Sequence, residues 1–278
     1  MKINQYKILK HLIKLSIHED RVHQDITSKL TITNNAKISA KIISKNNGVL
    51  FGVNVVREII KTIDKKLKVK LFKKDGSRII KGSKILTIKG NAKSILKSER
   101  TFLNYLGHLS GISTETNKLV KKTEKYKTKI CCTRKTLPGL RYLQKQAVKT
   151  GGGFNNRFHL EQEIFIKDNH HLNDKNFKEK IISVIKKNKN KKIINVEVDN
   201  INQLRQIINL KINRILLDNF SPKNLKKALK IIPKKIETEA SGNITPKNII
   251  QYAKTGVNRI SLGYLTHSVK NFDFSLEF

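Results

Sequence analysis

Apolar positions fall into two regimes along the chain. Up to about residue 110 two periods are mixed. Residues 5–16 carry Ile8, Leu9, Leu12, Ile13 and Leu15 at helical spacing. Residues 37–43 alternate, with Ile38, Ala40 and Ile42 on one face, which predicts a half-buried strand. Helical spacing returns over 51–63 through Val55, Val56, Ile59, Ile60 and Ile63. Val69 and Leu71, then Ile79-Ile80, then Ile85, Leu86 and Ile88 are punctuated by Asp75-Gly76, Lys81-Gly82 and Lys89-Gly90. That predicts a meander of short strands, followed by a long helix over 92–109.

Beyond residue 125 short apolar runs recur, each ending in a polar tip and followed by a helical stretch. The runs lie at 129–132, 164–166, 193–198, 215–217, 236–240 and 260–262, with helices predicted at 140–149, 174–187, 201–209, 222–230 and 246–255. Repeated βα units imply parallel strands. Six units, and room for more near 112–125 and 152–158, favour a closed βα barrel over an open doubly wound sheet. The last seven residues, Phe272-Asp273-Phe274-Ser275-Leu276-Glu277-Phe278, alternate strictly. They are expected to return to the first sheet, giving a domain of residues 1–110 joined by 271–278 and a barrel of 111–270.

Composition narrows the classes. The chain has 278 residues, 38% of them hydrophobic, enough for a core and against a disordered basic tail. The formal charge is +37, which raises nucleic acid as a partner. Only ten of the cations are arginine, however, and the 48 lysines are dispersed among Ile and Asn. The densest run, residues 186–192, is Lys/Asn low complexity and reads as a solvated loop. Trp is absent and aromatics are 6%, so stacking platforms are scarce and no specific nucleic-acid partner is expected. No apolar run reaches the roughly 18 residues of a membrane span, and the N-terminus lacks the apolar core of a secretory signal. Adjacent Cys131 and Cys132 would form a strained disulfide and have no zinc or redox spacing. They read as strand core in a reducing, cytoplasmic setting.

In a βα barrel, chemistry sits at the carboxyl ends of the strands. The tips sort by charge. Arg134, Lys135, Arg157 and Lys167, with Arg100, are suited to a polyanion; Glu197 and Asp218 are suited to sugar hydroxyls or a divalent cation. Ser241-Gly242-Asn243 before Thr245-Pro246, and Gly263 after the last run, have the small-loop character of a phosphate cradle.

The local strings carry a resemblance. Glu99-Arg100-Thr101-Phe102-Leu103-Asn104 with Leu109-Ser110-Gly111-Ile112-Ser113-Thr114, then Thr133-Arg134-Lys135-Thr136-Leu137-Pro138-Gly139-Leu140-Arg141, resemble motifs of the nicotinate-nucleotide pyrophosphorylase (quinolinate phosphoribosyltransferase) family. The same order continues through Gly151-Gly152-Gly153-Phe154-Asn155-Asn156-Arg157, Ile166-Lys167-Asp168-Asn169-His170, Val196-Glu197-Val198-Asp199-Asn200, Leu217-Asp218-Asn219-Phe220, Glu239-Ala240-Ser241-Gly242-Asn243 and Ser261-Leu262-Gly263-Tyr264-Leu265-Thr266-His267-Ser268. Glu19-Asp20 and Asp25-Ile26-Thr27-Ser28 extend it upstream.

The resemblance implies an α/β fold: an N-terminal α/β sandwich domain and an incomplete, seven-stranded βα barrel, in a homodimer whose site takes Arg100 of the partner subunit. It implies transfer of phosphoribose from phosphoribosyl pyrophosphate, with Mg²⁺, to quinolinate, giving nicotinate mononucleotide, carbon dioxide and pyrophosphate. The implied substrate-binding residues are Arg100, Thr133, Arg134, Lys135, Asn156, Arg157, Lys167, Glu197, Asp218, Ser241, Gly242, Asn243, Leu262, Gly263, Tyr264 and His267. Lys135, Glu197 and Asp218 are implied as catalytic, and Glu197 and Asp218 as metal-binding, directly or through substrate. The chain departs from the family pattern at Gln24 for Gly, Cys132 for Asp, Asn156 for His and Gln162 for Asp.

Other features have plainer readings. His18, His23 and Asp25 fit no standard zinc spacing. His170-His171 reads as a loop contact near Lys167, residues 151–153 as backbone brought close to ligand, and Arg141 as either ligand-binding or ion-paired. The rival functions are a nucleic-acid-binding protein and a barrel phosphoribosyltransferase with another acceptor.

Overall fold

A computed structural model describes residues 3–170 and 176–278, and the side chains of 5–170 and 176–278. Contacts divide the chain into two compact units. The first comprises Met1–Asn117, Leu137–Gly152 and Ser268–Phe278, the second Lys118–Thr136 and Gly153–His267.

The first unit contains strands β1 (Lys37–Ser44), β2 (Gly48–Val49), β3 (Lys68–Leu71), β4 (Arg78–Ile79) and β5 (Lys84–Asn91). β1, β3 and β5 join the C-terminal strand Phe274–Glu277 in an antiparallel sheet; that strand pairs with β1 from Lys41↔Glu277 to Ser44↔Phe274. Ala40 and Ile42 face the core, and Lys37, Ser39 and Lys41 lie on the opposite parity. The helix Val53–Ile63 buries Val55, Val56, Ile59 and Ile60. Asp75 does more than turn the chain: its carboxylate accepts from the N–H groups of Gly52 (2.8 Å) and Val53 (2.9 Å) at that helix's start. The helix Ile3–Glu19 buries Leu9, Ile13 and Ile17, whereas Ile8 and Leu15 are 51% and 55% exposed.

One element departs from its predicted length. The helix expected over 92–109 is Ala92–Thr123, so the extra βα unit near 112–125 does not exist. Gly107 and Gly111 within the helix are close-approach positions. A Cβ at Gly107 would lie 2.7 Å from the Phe272 carbonyl oxygen, and one at Gly111 would lie 2.3 Å from that of Lys270. The Phe272 N–H donates to the Gly107 carbonyl (2.9 Å). Packing of the returning chain offsets the roughly 1 kcal/mol that each helical glycine costs.

The second unit is the barrel: β6 (Lys129–Cys132), β7 (Phe154–Asn155), β8 (Ile164–Ile166), β9 (Ile194–Val198), β10 (Arg214–Asp218), β11 (Glu237–Ser241) and β12 (Arg259–Leu262). In chain order, Phe274–Glu277 of the first unit is therefore β13. The barrel sheet order is β7-β6-β12-β11-β10-β9-β8, and every pairing is parallel. The first and last long strands, β6 and β12, pair as in a closed barrel, but β7 and β8 remain edges. The closed barrel read from the repeats is thus corrected to an incomplete one. Parallel neighbours need a crossover of about a dozen residues, and only residues 156–163 separate these two strands.

Helices Phe177–Lys187, Ile201–Ile207, Pro222–Ile231 and Ile249–Ala253 follow β8 to β11. Val196, Val198, Ile215, Leu217, Ile260 and Leu262 are buried on the parity opposite the strand tips. The last of these helices opens at Ile249 and not at Pro246, because residues 246–248 form a turn.

Candidate active site

Because the seven strands are parallel, their carboxyl ends lie on one side. Thr133, Arg134 and Lys135 follow β6; Asn156 and Arg157 follow β7; Lys167 follows β8. Glu197 is the penultimate residue of β9, and Asp218 ends β10 in register with Ser241 at the end of β11. Gly263 follows β12, against the side chains of Lys135 and His267.

The β6 loop is held by its own backbone. The Lys135 N–H donates to the Thr133 hydroxyl (3.1 Å), and the Thr266 hydroxyl donates to the Lys135 carbonyl (2.7 Å). Arg134 Nε is buried without a hydrogen-bond partner among the described residues, an orphan donor of the kind found at ligand sites. Arg157 is buried, and its Nη1 donates to the Glu163 carbonyl (3.0 Å). Burial first, and then the neighbouring Arg134 charge, push its pKa down. Two guanidinium groups that disfavour each other's charge favour an anion beside them. Phe165, which the sequence reading passed over, lies under two cations: Arg157 at 5.1 Å and Lys167 at 5.2 Å from its ring centroid. Its one signal is parity, two residues before Lys167 on the same strand face.

The anionic side begins where Lys167 Nζ meets Glu197 Oε2 at 3.0 Å. Burial raises the Glu197 pKa; Lys167 opposes that, and Asp218 and Asp168 reinforce it. Asp218 is also raised, by burial first, with Lys167 and the Ser241 hydroxyl acting against it. The Asn219 amide donates to Asp218 Oδ2 (2.7 Å), and the Asn243 amide to Asn219 Oδ1 (3.1 Å). Gly242 has φ +86°, and a Cβ there would lie 2.1 Å from Asn219 Oδ1. Only glycine fits that turn, which leaves main-chain groups at the rim.

The other expected positions fall as follows. Leu262 is buried and Tyr264 opens the short helix Tyr264–His267. Arg100 lies exposed on the helix Ala92–Thr123 in the first unit. Asn156, one of the implied substrate-binding residues, is tied into the barrel by its own amide. Its amide nitrogen donates to Glu239 Oε1 (2.7 Å) and the Ser261 hydroxyl (2.9 Å), which uses both N–H bonds. Its oxygen accepts from Arg259 Nη2 (2.7 Å). Gly151 is a close-approach position within the first unit, where a Cβ would meet the Ser113 carbonyl oxygen. His170 Nδ1 accepts from the Lys167 N–H (3.1 Å), and His171 lies outside the described residues. Asp25 accepts from the Ser28 N–H (3.0 Å) at the start of the helix Ile26–Thr31. Arg141 begins the helix Arg141–Thr150 in the first unit. Cys131 and Cys132 are buried and outside any disulfide, and burial pushes Cys131 up to about 12. No helix among the described residues is long and apolar enough to cross a membrane.

Comparison with known proteins agrees with this arrangement. Residues 25–110 match the family model of the quinolinate phosphoribosyl transferase N-terminal domain, and residues 112–277 that of its C-terminal domain. The chain is 39% identical over 269 residues to a probable nicotinate-nucleotide pyrophosphorylase [carboxylating] of Bacillus subtilis, covering 97% of this chain and 93% of that protein. It is 40% identical over 275 residues to its namesake in Methanocaldococcus jannaschii, covering 96% and 95%. The structure of the nicotinate-nucleotide pyrophosphorylase from Francisella tularensis superposes with a TM-score of 0.92 at 39% identity, covering 98% of this chain and 96% of that one.

Proposed function

The chain belongs to the quinolinate phosphoribosyltransferase family, and from that membership we propose how the barrel mouth divides its work between two reactants. The enzyme is a pentosyltransferase of NAD biosynthesis: it converts quinolinate and phosphoribosyl pyrophosphate to nicotinate mononucleotide, carbon dioxide and pyrophosphate. The observation that carries the division is the segregation of charge around one mouth, cations on the β6, β7 and β8 tips and carboxylates on β9 and β10, meeting at Lys167–Glu197.

Quinolinate is a dianion. Arg134, Arg157 and Lys167 hold its carboxylates, the first two as guanidinium forks. Lys135 contacts the pyrophosphate of the donor. Glu197 and Asp218 accept from the ribose hydroxyls and face the positive charge that develops at the anomeric carbon. The 5′-phosphate sits against the main chain of Ser241, Gly242, Asn243 and Gly263, with Leu262, Tyr264 and His267 behind it. The ring nitrogen attacks the anomeric carbon as the bond to pyrophosphate breaks and its electron pair leaves with that group. As carbon dioxide departs, the electron pair of the carbon–carboxylate bond stays on the ring carbon as a carbanion stabilised by the adjacent pyridinium charge, and that pair takes a proton from water. Much of the acceleration is positioning of two charged reactants.

A buried and a partly buried carboxylate whose charged forms burial disfavours suit a divalent cation carried mostly by phosphate oxygens. Mg²⁺ brought with the donor would be held by Glu197 and Asp218, and when bound it neutralises charge on the departing pyrophosphate.

Arg100, exposed on a helix of the other unit, is assigned to the acceptor carboxylates of a partner subunit's site in a homodimer. Buried cysteines outside any disulfide suit the cytoplasm, where we place the enzyme. The test is formation of nicotinate mononucleotide from quinolinate, phosphoribosyl pyrophosphate and Mg²⁺. Arg134→Ala is expected to abolish it; near-wild-type turnover would show that the acceptor site is elsewhere. Mixing inactive Arg100→Ala and Arg134→Ala proteins should restore about a quarter of wild-type activity through hybrid dimers. No recovery on subunit exchange would refute the shared site.

A further inference from the structure

Below the strand tips the concave face of the barrel carries ion pairs where such barrels usually carry packed aliphatic side chains. Arg214 Nε donates to Glu237 Oε2 (2.7 Å), and its Nη1 lies 3.6 Å from both Glu163 Oε2 and Glu239 Oε2. Arg259 Nη1 meets Glu237 Oε1 (3.4 Å), and its Nε lies 3.8 Å from Glu239 Oε2. Lys129 Nζ adds a contact to Glu237 at 3.3 Å. The Asn195 amide donates to Glu163 Oε2 (2.7 Å). Asn156 bridges Glu239, Ser261 and Arg259. Arg214, Arg259, Glu239 and Asn195 are buried. The catalytic scheme above uses none of these groups.

Buried ion pairs are weak contributors to net stability compared with an apolar core, but they are directional, and loss of one partner is felt by the rest. Their location gives them a task. β7 is paired only with β6 and β8 only with β9, so no main-chain hydrogen bond sets one edge strand against the other. Arg157 belongs to the segment that crosses that opening. On the β7 side its neighbour Asn156 is held by Arg259, Glu239 and Ser261. On the β8 side Glu163, whose carbonyl accepts from Arg157, is held by Arg214 and Asn195. The donor-side residues Glu197, Asp218, Ser241 and Gly263 sit on or next to strands laddered on both flanks.

We infer that this buried layer, centred on Arg259, Glu239 and Asn156, is a positioning device for the acceptor subsite: it stands in for the missing β7–β8 ladder and fixes Arg157. The inference rests on the reading of Arg157 as a quinolinate-binding group. It makes Asn156 and Arg259 positioning residues with a selective signature, because slack across the opening loosens the acceptor contact and leaves the donor contacts in place.

The test is steady-state kinetics of the full-length enzyme, with KM measured separately for quinolinate and phosphoribosyl pyrophosphate, and quinolinate binding followed by calorimetry. Asn156→Ala should raise the quinolinate KM about tenfold or more and leave the donor KM within about twofold. Arg259→Lys keeps the charge but loses the Nη2 donor to Asn156 (2.7 Å), and should shift the same KM less. It also separates positioning from direct contact, since Arg259 bonds to Asn155, Asn156 and Glu237. If Asn156→Ala does not fold, Arg259→Lys carries the test. An unchanged KM ratio in folded variants, or equal rises in both KM values, overturns the proposal. Arg157→Ala is the control for the underlying reading: if it leaves quinolinate binding intact, the acceptor site itself is wrong; if it weakens binding while Arg259→Lys does not, only the positioning role falls.

Discussion

Replacing Lys167 by Met tests the electrostatics of the site most directly. Lys167 Nζ lies 3.0 Å from Glu197 Oε2, and the two side chains are 41% and 7% exposed. Unit charges at that distance attract by about 5.5 kcal/mol at an effective dielectric of about 20. Solvent at the exposed lysine screens most of this, leaving about 1.4 kcal/mol, between an exposed pair and a fully buried one. That equals about one pKa unit. Burial already raises Glu197, and Lys167 is the main group opposing it, so its removal raises Glu197 further. If ionised Glu197 is required, the acid limb of the kcat/KM profile should move up by about one pH unit, beyond the uniform loss from a missing acceptor contact. Substrate ionisation is common to both enzymes and cancels in their ratio. Carbon-13 NMR of the ligand-free proteins should show the same displacement for the Glu197 carboxyl. An acid limb that stays in place, or moves down, would refute the reasoning.

Further outcomes follow from other contacts. Gly242→Ala combines φ +86° with a Cβ 2.1 Å from Asn219 Oδ1; it should raise the KM for phosphoribosyl pyrophosphate by about tenfold or more, and an unaltered donor KM would remove the loop from the phosphate site. Burial alone would raise Glu237, but the Arg214 hydrogen bond and the charges of Arg259 and Arg214 outweigh it and hold its pKa down. Its contribution is therefore present above the unfolded glutamate value and lost as pH falls through the lower folded one. The melting temperature gap between wild type and Glu237→Gln should shrink on acidification below about pH 4, and a constant gap would contradict this. Cys131 and Cys132 should resist alkylation at pH 8 in the native enzyme, given their burial and a Cys131 pKa near 12; rapid stoichiometric labelling would contradict it.

The sequence carried the tips of the barrel well. Lys167, Asp218 and Ser241 each end an apolar run and Glu197 lies one residue inside the end of its own, and parallel strands place run ends on one side whatever the packing. It carried less where a partner far along the chain decides the outcome. The helix expected to end at 109 runs on to Thr123, with the returning segment at 270–272 lying against its Gly107 and Gly111. Ile8 and Leu15 share the helical spacing of Leu9 and Ile13 but face outward. Asn156 sits inside a substrate-like motif, and its amide is turned inward by Arg259, about a hundred residues later.

Taken alone, the sequence determined the family, the two-part architecture and which residue types lie at the ends of the barrel strands, because these depend on local period and on strings of adjacent residues. The tertiary structure decided which polar strand positions are interior. Arg214, Glu237, Glu239 and Arg259 are charged strand positions, which on most sheets face solvent. Only the curvature of a parallel sheet with helices on its outer face turns that polar parity inward, where charges must find each other across strands. The opening between β7 and β8, and with it the need for side chains to span it, exists only once the strands have taken their order.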